Sequence, residues 1–198
     1  PAAQPMSPYA ATKRAGELLC HTYHAIHGLP TTCLRFFTVY GPRGRPDMAP
    51  YLFTQRVIAG EPIQMFGDGS TTRDYTYVDD IVAGVIAAID AGLPFEIINL
   101  GNSAPVSLRD FVAVIESATG RPAVIRQSGP YPGDVPHTLA DIRKARRLLN
   151  YAPKTPVIDG MRRFVEWYRE EILTGGNGLE RLVQTNDPAA RQPDSTPP

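Results

Sequence analysis

The strongest constraint on the fold is a regular alternation of short β-rich segments with longer segments of helical periodicity. Apolar, β-branched and aromatic residues are concentrated in five short runs, which predict strands at 31–37, 63–66, 73–78, 95–100 and 123–127. Around them apolar residues recur every three to four positions, which predicts helices at 8–27, 51–59, 79–91, 107–119, 140–149 and 157–173. Because strands that alternate with helices are typical of α/β proteins, we expect an α/β fold.

The first helix and the strand after it have the clearest boundaries. Ser7 before Pro8 predicts an N-cap with proline at the first helical position, and Gly28 predicts the helix end. Segment 31–37 is a continuous apolar run, so we expect a largely buried strand there. Segment 41–50 is rich in Gly and Pro and is expected to be an ordered loop.

Polar residues mark two later helix starts. Asp79 or Asp80 is expected to cap the third helix, since a carboxylate accepts free backbone N–H groups. Ser107 and Asp110 resemble a capping box at the start of the fourth. Beyond Gly175 the chain becomes polar and rich in Pro, so we expect a disordered tail over 175–198.

Composition excludes several classes of function. Lys and Arg number 20 and so do Asp and Glu, so no net charge would draw the chain to nucleic acid or an anionic membrane. No apolar run approaches the roughly 18 residues of a membrane span. No basic and apolar leader is present, so we expect a cytoplasmic location. The first residue is not Met, and we expect the sequence to be part of a longer polypeptide.

Cysteine and histidine do not predict a metal site. Cys20 and Cys33 lie thirteen residues apart and form no Cys-x-x-Cys pair, so we expect buried or idle thiols. His21, His24 and His27 repeat every three residues, a spacing that drifts around a helix. Surface or subunit-contact histidines explain them better than metal ligands do.

Tyr9 and Lys13 are the first candidate catalytic residues. They stand four positions apart near the start of the first helix, so their side chains project from the same face. A free phenol has a pKa near 10, and a nearby ammonium favours its phenolate form. Such a phenolate can take a proton from a sugar hydroxyl. Taken alone, the pair is better explained as an ordinary helix surface.

Four ordered segments give this pair its context. The segment 5–17, which contains the Tyr-x-x-x-Lys pattern, resembles the catalytic helix of extended short-chain dehydrogenases/reductases. Three more segments resemble the same family in the same order, and the resemblance extends over residues 5–172. These segments are 34–43, 66–80 and 132–141.

The resemblance implies an incomplete Rossmann-like nucleotide-binding sheet followed by a small α/β substrate-binding domain. Residues 1–45 would be the C-terminal piece of the Rossmann domain. Residues 46–174 would be mainly the sugar-nucleotide-binding domain, with strands that return to the sheet. Residues 175–198 would be the tail.

The resemblance also implies an NAD-dependent epimerase and roles for individual residues. Tyr9 would remove the proton from the C4 hydroxyl of the sugar. Lys13 would lower the pKa of the phenol and contact the nicotinamide ribose, and Phe37 would lie beside the nicotinamide through its backbone. Relatives commonly form homodimers through the tyrosine-bearing helix, so a homodimer is expected.

The segment that contains Thr38 and Arg45 resembles the subgroup that interconverts UDP-glucuronate and UDP-galacturonate. In that chemistry the C4-keto sugar is a β-keto acid, which loses carbon dioxide if its carboxylate rotates into line with the ketone. Thr38 and Arg45 would hold the carboxylate in a safer orientation. Their structural alternatives are a capping hydroxyl and a solvated loop charge.

Arg73 would bind the substrate diphosphate, because its planar fork of donors can pair with two oxygens at once. The structural alternative is a salt bridge to Asp74, Asp79 or Asp80.

The sequence also departs from the family pattern. It has no counterpart of the Gly-rich dinucleotide turn, of the acidic residue on the adenosine ribose, or of the Ser/Thr that precedes the tyrosine. Tyr131 stands where relatives have Gln or Arg, which puts a uridine contact in doubt. We expect exposed apolar surface, self-association, and neither NAD binding nor turnover by the isolated chain.

Other functions stay open from sequence alone. Within the same scaffold the alternatives are a 4-epimerase of neutral UDP-hexoses and a nucleotide-sugar decarboxylase or dehydratase. Outside enzymes, the alternative is a non-catalytic remnant or a dimerisation module.

Overall fold

The computed structural model describes residue 5 and residues 7–129 and 135–174. Its helices are α1 Pro8–His27, α2 Ala49–Ala59, α3 Val78–Ala91, α4 Leu108–Thr119, α5 Arg143–Leu149 and α6 Val157–Trp167. Its strands are β1 Thr31–Phe36, β2 Thr38–Tyr40, β3 Pro62–Phe66, β4 Thr72–Tyr77, β5 Phe95–Leu100, β6 Pro105–Ser107 and β7 Val124–Ser128. The expected α/β class is confirmed. The expected disordered tail and Tyr131 lie outside the described residues.

The strands pair mostly in parallel, as expected when helices connect them. β1 pairs with β5 in parallel, from Thr31↔Phe95 to Phe36↔Leu100. β4 lies between β2, its parallel partner, and β6, its antiparallel partner. β3 and β7 form a further parallel pair. Phe37 separates β1 from β2, and its N–H donates to the Leu100 carbonyl at 3.1 Å. The two consecutive strands therefore belong to different sheets.

Two hydrophobic cores hold the described residues together. The first, the aromatic core, is built from β2, α2, β4, α4 and α6. Its aromatic members are Tyr40, Phe53, Tyr75, Tyr77, Phe111, Phe164 and Tyr168. The second, the sheet core, lies between α3, β5 and α5. Its buried members are Ile81, Ala88, Ile98, Leu100, Ala140, Ile142, Ala145, Leu149 and Tyr151.

α1 contributes no buried residue to either core. Its apolar side chains Leu18, Leu19, Tyr23 and Ile26 are exposed, which confirms the expected exposure of apolar surface. The expectation of a largely buried strand after α1 is wrong. β1 is only half-buried, because its pairing with β5 covers one edge and α1 covers one face incompletely.

The starts of two helices also differ from those expected. α2 begins at Ala49, with proline in its first turn, and not at residue 51. α3 begins after Tyr77, and neither Asp79 nor Asp80 caps it. The Asp80 carboxylate instead accepts hydrogen bonds from the backbone N–H groups of Lys154 and Thr155, at 3.1 and 3.0 Å.

The last two helices are shorter than expected. α5 begins at Arg143 and not at residue 140, because the N–H of Ala140 donates to the buried Asp74 carboxylate at 2.8 Å. α6 ends at Trp167, and a π-helical stretch, Tyr168–Thr174, continues it. The start of α4 is as expected: the Ser107 hydroxyl accepts from the N–H of Asp110 at 3.0 Å.

Candidate active site

A cleft of about 920 Å³ opens where β1 passes into β2, and we call it the junction cleft. Parallel strands direct their carboxyl ends to one edge of a sheet, which is where α/β proteins commonly bind ligands. Three of the six sequence-predicted site residues, Phe37, Thr38 and Arg45, line this cleft. Asn99 on β5 and Thr138 line it as well.

A second cleft of about 370 Å³ lies between α2 and β4, and we call it the α2 cleft. Its lining includes Arg56, Gln64 and the sequence-predicted Arg73. Thr38 and Met48 line both clefts. The two clefts therefore share part of their wall at these two residues.

Backbone carbonyls hold Arg73 at the α2 cleft. Its Nη1 donates to the carbonyl of Thr72 at 2.9 Å and to that of Pro136 at 3.4 Å. No salt bridge joins it to Asp74, Asp79 or Asp80, all three of which the structure describes.

Asp74 has a structural role that the sequence did not predict. Its side chain is fully buried. The carboxylate accepts backbone hydrogen bonds from Asn102 at 2.8 Å, Ser103 at 2.9 Å and Ala140 at 2.8 Å. Three N–H donors satisfy a charge that would otherwise be costly to bury. Asp74 therefore fixes the loops that surround the junction cleft.

The segment 135–142 reaches the clefts because it runs along β4. The Asp74 N–H donates to Thr138 Oγ1 at 3.0 Å, and Thr72 forms a β-bridge with His137. Thr138 belongs to the fourth matching segment, a signal from which its position could have been inferred. Asn99 stands near the carboxyl end of a predicted parallel strand, which is a weaker signal.

Arg45 forms a bidentate ion pair at the rim of the junction cleft. Its Nε and Nη2 lie 3.0 and 2.5 Å from the two carboxylate oxygens of Asp47. The hydrogen bond to Asp47 is the main cause of the raised pKa of Arg45, and in turn it lowers the pKa of Asp47.

Tyr9 and Lys13 converge in the first turns of α1. The Ser7 hydroxyl caps this end by accepting from the N–H of Ala10 at 3.1 Å. The Lys13 ammonium lies 5.4 Å from the centre of the Tyr9 ring. Tyr9 is 71% exposed, and neither residue lines the junction cleft or the α2 cleft. The pair therefore lies outside the lining of both clefts.

The described residues form neither a metal-binding cluster nor a membrane-spanning helix. In the part of the chain that the structure describes, no three His, Cys, Asp or Glu side chains gather closely enough to hold a metal ion. Among the same residues, no helix has the length and apolar character that crossing a bilayer requires.

The chain is similar to nucleotide-sugar epimerases. Residues 1–101 match the profile of the NAD dependent epimerase/dehydratase family. A UDP-glucuronate 4-epimerase of Thermodesulfobacterium geofontis is 44% identical over 169 residues, which is 85% of this chain and 52% of the relative.

Solved structures agree with the sequence comparison. UDP-glucuronic acid 4-epimerase from Bacillus cereus, in complex with UDP-glucuronic acid and NAD, matches 84% of this chain and 54% of its own. The TM-score is 0.80 at 39% identity. UDP-glucose 4-epimerase from Thermotoga maritima, with UDP-glucose, matches with a TM-score of 0.79 at 31% identity, over 84% of this chain and 55% of its own. The chain thus spans about half the length of the relatives that it matches.

Proposed function

Because the chain belongs to the NAD-dependent epimerase/dehydratase family, we propose that it forms the catalytic-tyrosine and substrate-binding half of a UDP-sugar 4-epimerase. The proposed substrate is UDP-glucuronate and the product is UDP-galacturonate. The observation that carries the proposal is that Thr38 and Met48 line both clefts. A sugar nucleotide has two chemically distinct ends, and it needs two connected compartments.

The diphosphate and uridine occupy the α2 cleft in this proposal. Arg73 lines that cleft and offers a guanidinium to the diphosphate, and charge-assisted hydrogen bonds of this kind are among the strongest in proteins. The hexuronate then lies at the junction cleft beside Thr38. Arg45 has five N–H donors, of which Asp47 uses two, so donors remain for the sugar carboxylate.

The residues present fit only one end of NAD. Tyr9, Lys13 and the backbone of Phe37 would hold the nicotinamide and its ribose at the junction cleft. No Gly-x-x-Gly-x-x-Gly turn for the pyrophosphate occurs in the sequence, so the adenosine end needs a second polypeptide region. Bound NAD would supply a reversible hydride acceptor for sugar C4.

Proton transfer is the task of Tyr9. Its phenolate oxygen takes the proton of the sugar C4 hydroxyl and later returns it, and the Lys13 ammonium lies 5.4 Å from the centre of the same ring. Thr38 and Arg45 hold the C5 carboxylate away from the geometry in which the β-keto acid loses carbon dioxide. Arg73 keeps the nucleotide anchored while the sugar turns over.

In this proposal residues 1–45 belong to the nucleotide-binding domain and residues 46–174 mainly to the substrate domain. The exposed apolar side chains of α1 would pack in a homodimer of the complete enzyme. The isolated chain is proposed to be inactive.

The test is a chimera that joins the N-terminal part of the Bacillus cereus enzyme, up to the start of the matched region, to this chain. Its products from UDP-glucuronate and from UDP-glucose are separated by chromatography. We expect UDP-galacturonate, and we expect Tyr9→Phe to lower kcat by about 10²–10⁴-fold. The matched control is Tyr23→Phe, an exposed tyrosine of the same helix, which should leave kcat unchanged.

Each other outcome points to a different function. Faster turnover of UDP-glucose would favour a neutral-hexose epimerase, and release of carbon dioxide would favour a decarboxylase. A chimera that binds NAD and UDP-glucuronate but turns over neither sugar nucleotide would favour a non-catalytic role.

A further inference from the structure

α1 and β1 face each other in a fixed register. The Arg35 guanidinium on β1 pairs with both carboxylate oxygens of Glu17 on α1, at 2.5 and 2.7 Å. Cys20 follows Glu17 by three positions on the helix, and Cys33 precedes Arg35 by two positions on the strand. These spacings keep each cysteine on the same face as its charged neighbour. The register that joins Glu17 to Arg35 therefore also brings Cys20 opposite Cys33.

The two thiols lie on the facing surfaces of α1 and β1, as the register set by Glu17 and Arg35 requires. The pKa of the Cys33 thiol is raised to about 11, first by its burial and then by the neighbouring Cys20 thiol. Both cysteines are free thiols and both are partly exposed. A small oxidant can therefore reach two thiols that face each other.

We infer that Cys20 and Cys33 are a modification site: a dithiol that a low-molecular-weight disulfide such as oxidised glutathione converts to an intramolecular disulfide. In the first step one cysteine thiolate attacks the glutathione disulfide, forms a mixed disulfide and releases one glutathione thiolate, which takes up a proton. In the second step the other cysteine attacks the protein sulfur of the mixed disulfide and releases the second glutathione. Two protein thiols are oxidised and one glutathione disulfide is reduced to two thiols.

The consequence concerns the two elements that the bond would join. α1 carries Tyr9 and Lys13, and β1 leads directly into Phe37 and Thr38 at the junction cleft. Since α1 has no buried residue, few contacts oppose its movement against β1. The disulfide would fasten the helix to the strand and fix the distance between these two groups. The dithiol itself does not depend on the proposed function.

The test uses the full 198-residue chain, which holds two cysteines, so that labelling is unambiguous. The reduced protein is incubated with excess oxidised glutathione, quenched in acid, denatured, and labelled with a maleimide polymer. We expect an unlabelled monomer whose mass has fallen by two hydrogens, with Cys20 and Cys33 joined in one cross-linked peptide pair. We also expect the melting temperature to rise by about 5–10 °C, because the bond restricts the unfolded chain.

Two controls separate a native dithiol from ordinary thiol reactivity. In urea the same treatment should leave mainly glutathione adducts, because the fold no longer holds the sulfurs together; this arm needs no substitution. In Cys33→Ser, Cys20 should keep its glutathione, since the resolving thiol is absent. Two glutathione adducts on the native wild-type chain, disulfide-linked dimers, or two thiols that stay reduced would each overturn the inference.

Discussion

The aromatic core and the α1–β1 region have similar apolar patterns and very different packing. Ile115 on α4 is 0% exposed, whereas Ile26 on α1 is 68% exposed, although both lie on the apolar faces of helices. Tyr75 stacks on Phe111 with ring centres 4.0 Å apart, and α1 makes no comparable contact with either core. An amphipathic pattern defines a face that can be buried. Only a partner surface determines whether it is.

This contrast assigns most of the stability and the proposed nucleotide-sugar site to one region, and the proposed catalytic pair to the other. The α2 cleft lies against the aromatic core, which supports Arg73 through β4. Tyr9 and Lys13 stand on a helix that contacts the sheet through the Glu17–Arg35 ion pair and through the rings of His21 and His24 against Phe95. Substitutions in the two regions should therefore have unequal effects.

The largest difference is expected for a matched pair of isoleucines. Ile115→Ala removes a fully buried side chain and should lower the free energy of unfolding by about 3–4 kcal/mol. Ile26→Ala should change it by less than about 0.5 kcal/mol, because the side chain is already exposed. Urea unfolding followed by circular dichroism measures both. Equal losses would mean that α1 packs as tightly as α4.

A matched pair of glycines should give a smaller difference. A Cβ at Gly160 on α6 would lie 2.1 Å from Tyr40 Oη and 2.7 Å from Tyr40 Cζ. Since Tyr40 is buried, Gly160→Ala should cost about 2 kcal/mol of stability. A Cβ at Gly16 on α1 meets nothing within 4 Å, so Gly16→Ala should stabilise by up to about 1 kcal/mol. If both substitutions lowered the free energy of unfolding, or both raised it, the predicted difference between the two helices would be wrong.

The smallest effect should come from pH. The hydrogen bond from Arg35 is the main cause that lowers the pKa of Glu17 to about 2. A carboxyl with a lowered folded-state pKa stabilises above its unfolded value of 4.5, and this contribution is lost as pH falls from 4.5 towards 2. Because the pair is partly exposed, Glu17→Gln should lower the free energy of unfolding by only about 1 kcal/mol at pH 7. At pH 2 the substitution should have almost no effect.

The measurement is the difference in unfolding free energy between wild type and Glu17→Gln across this pH range. Taking the difference cancels the titration of the other carboxyls. A difference that stays constant from pH 7 to pH 2 would show that the ion pair does not fasten α1 to β1.

Local signals predicted much of the fold. Ser7, Pro8 and Gly28 defined α1, whose observed bounds, Pro8–His27, are those expected. Ser107 defined the start of α4 in the same way. These caps act within one helical turn, so the residues that set them are adjacent in sequence.

Features that depend on distant residues could not be predicted. β2 and β6 have three residues each, too few for a periodic signal, and they exist because both pair with β4. α5 begins late because Asp74, 66 residues away, binds the N–H of Ala140. Asp80 does not cap α3, because its carboxylate accepts hydrogen bonds from the N–H groups of the distant residues 154 and 155.

The candidate site divides in the same way. Thr38 and Arg73 were expected from motif segments, and both line the α2 cleft. Asn99 and Thr138 were not expected, because their places depend on the β1–β5 pairing and on the run of 135–142 along β4. The facing positions of Cys20 and Cys33 were missed for a similar reason, since thirteen residues separate them and only the turn from α1 to β1 places them on facing surfaces.

The most direct test is a calorimetric titration of this chain with UDP-glucuronate and, separately, with NAD. We expect saturable binding of UDP-glucuronate, weakened about tenfold or more by Arg73→Ala and unchanged by Arg162→Ala, an exposed arginine of α6. We expect no saturable binding of NAD below about 1 mM, because the pyrophosphate turn is missing. NAD binding in the micromolar range, or a UDP-glucuronate affinity that Arg73→Ala leaves unchanged, would contradict the account.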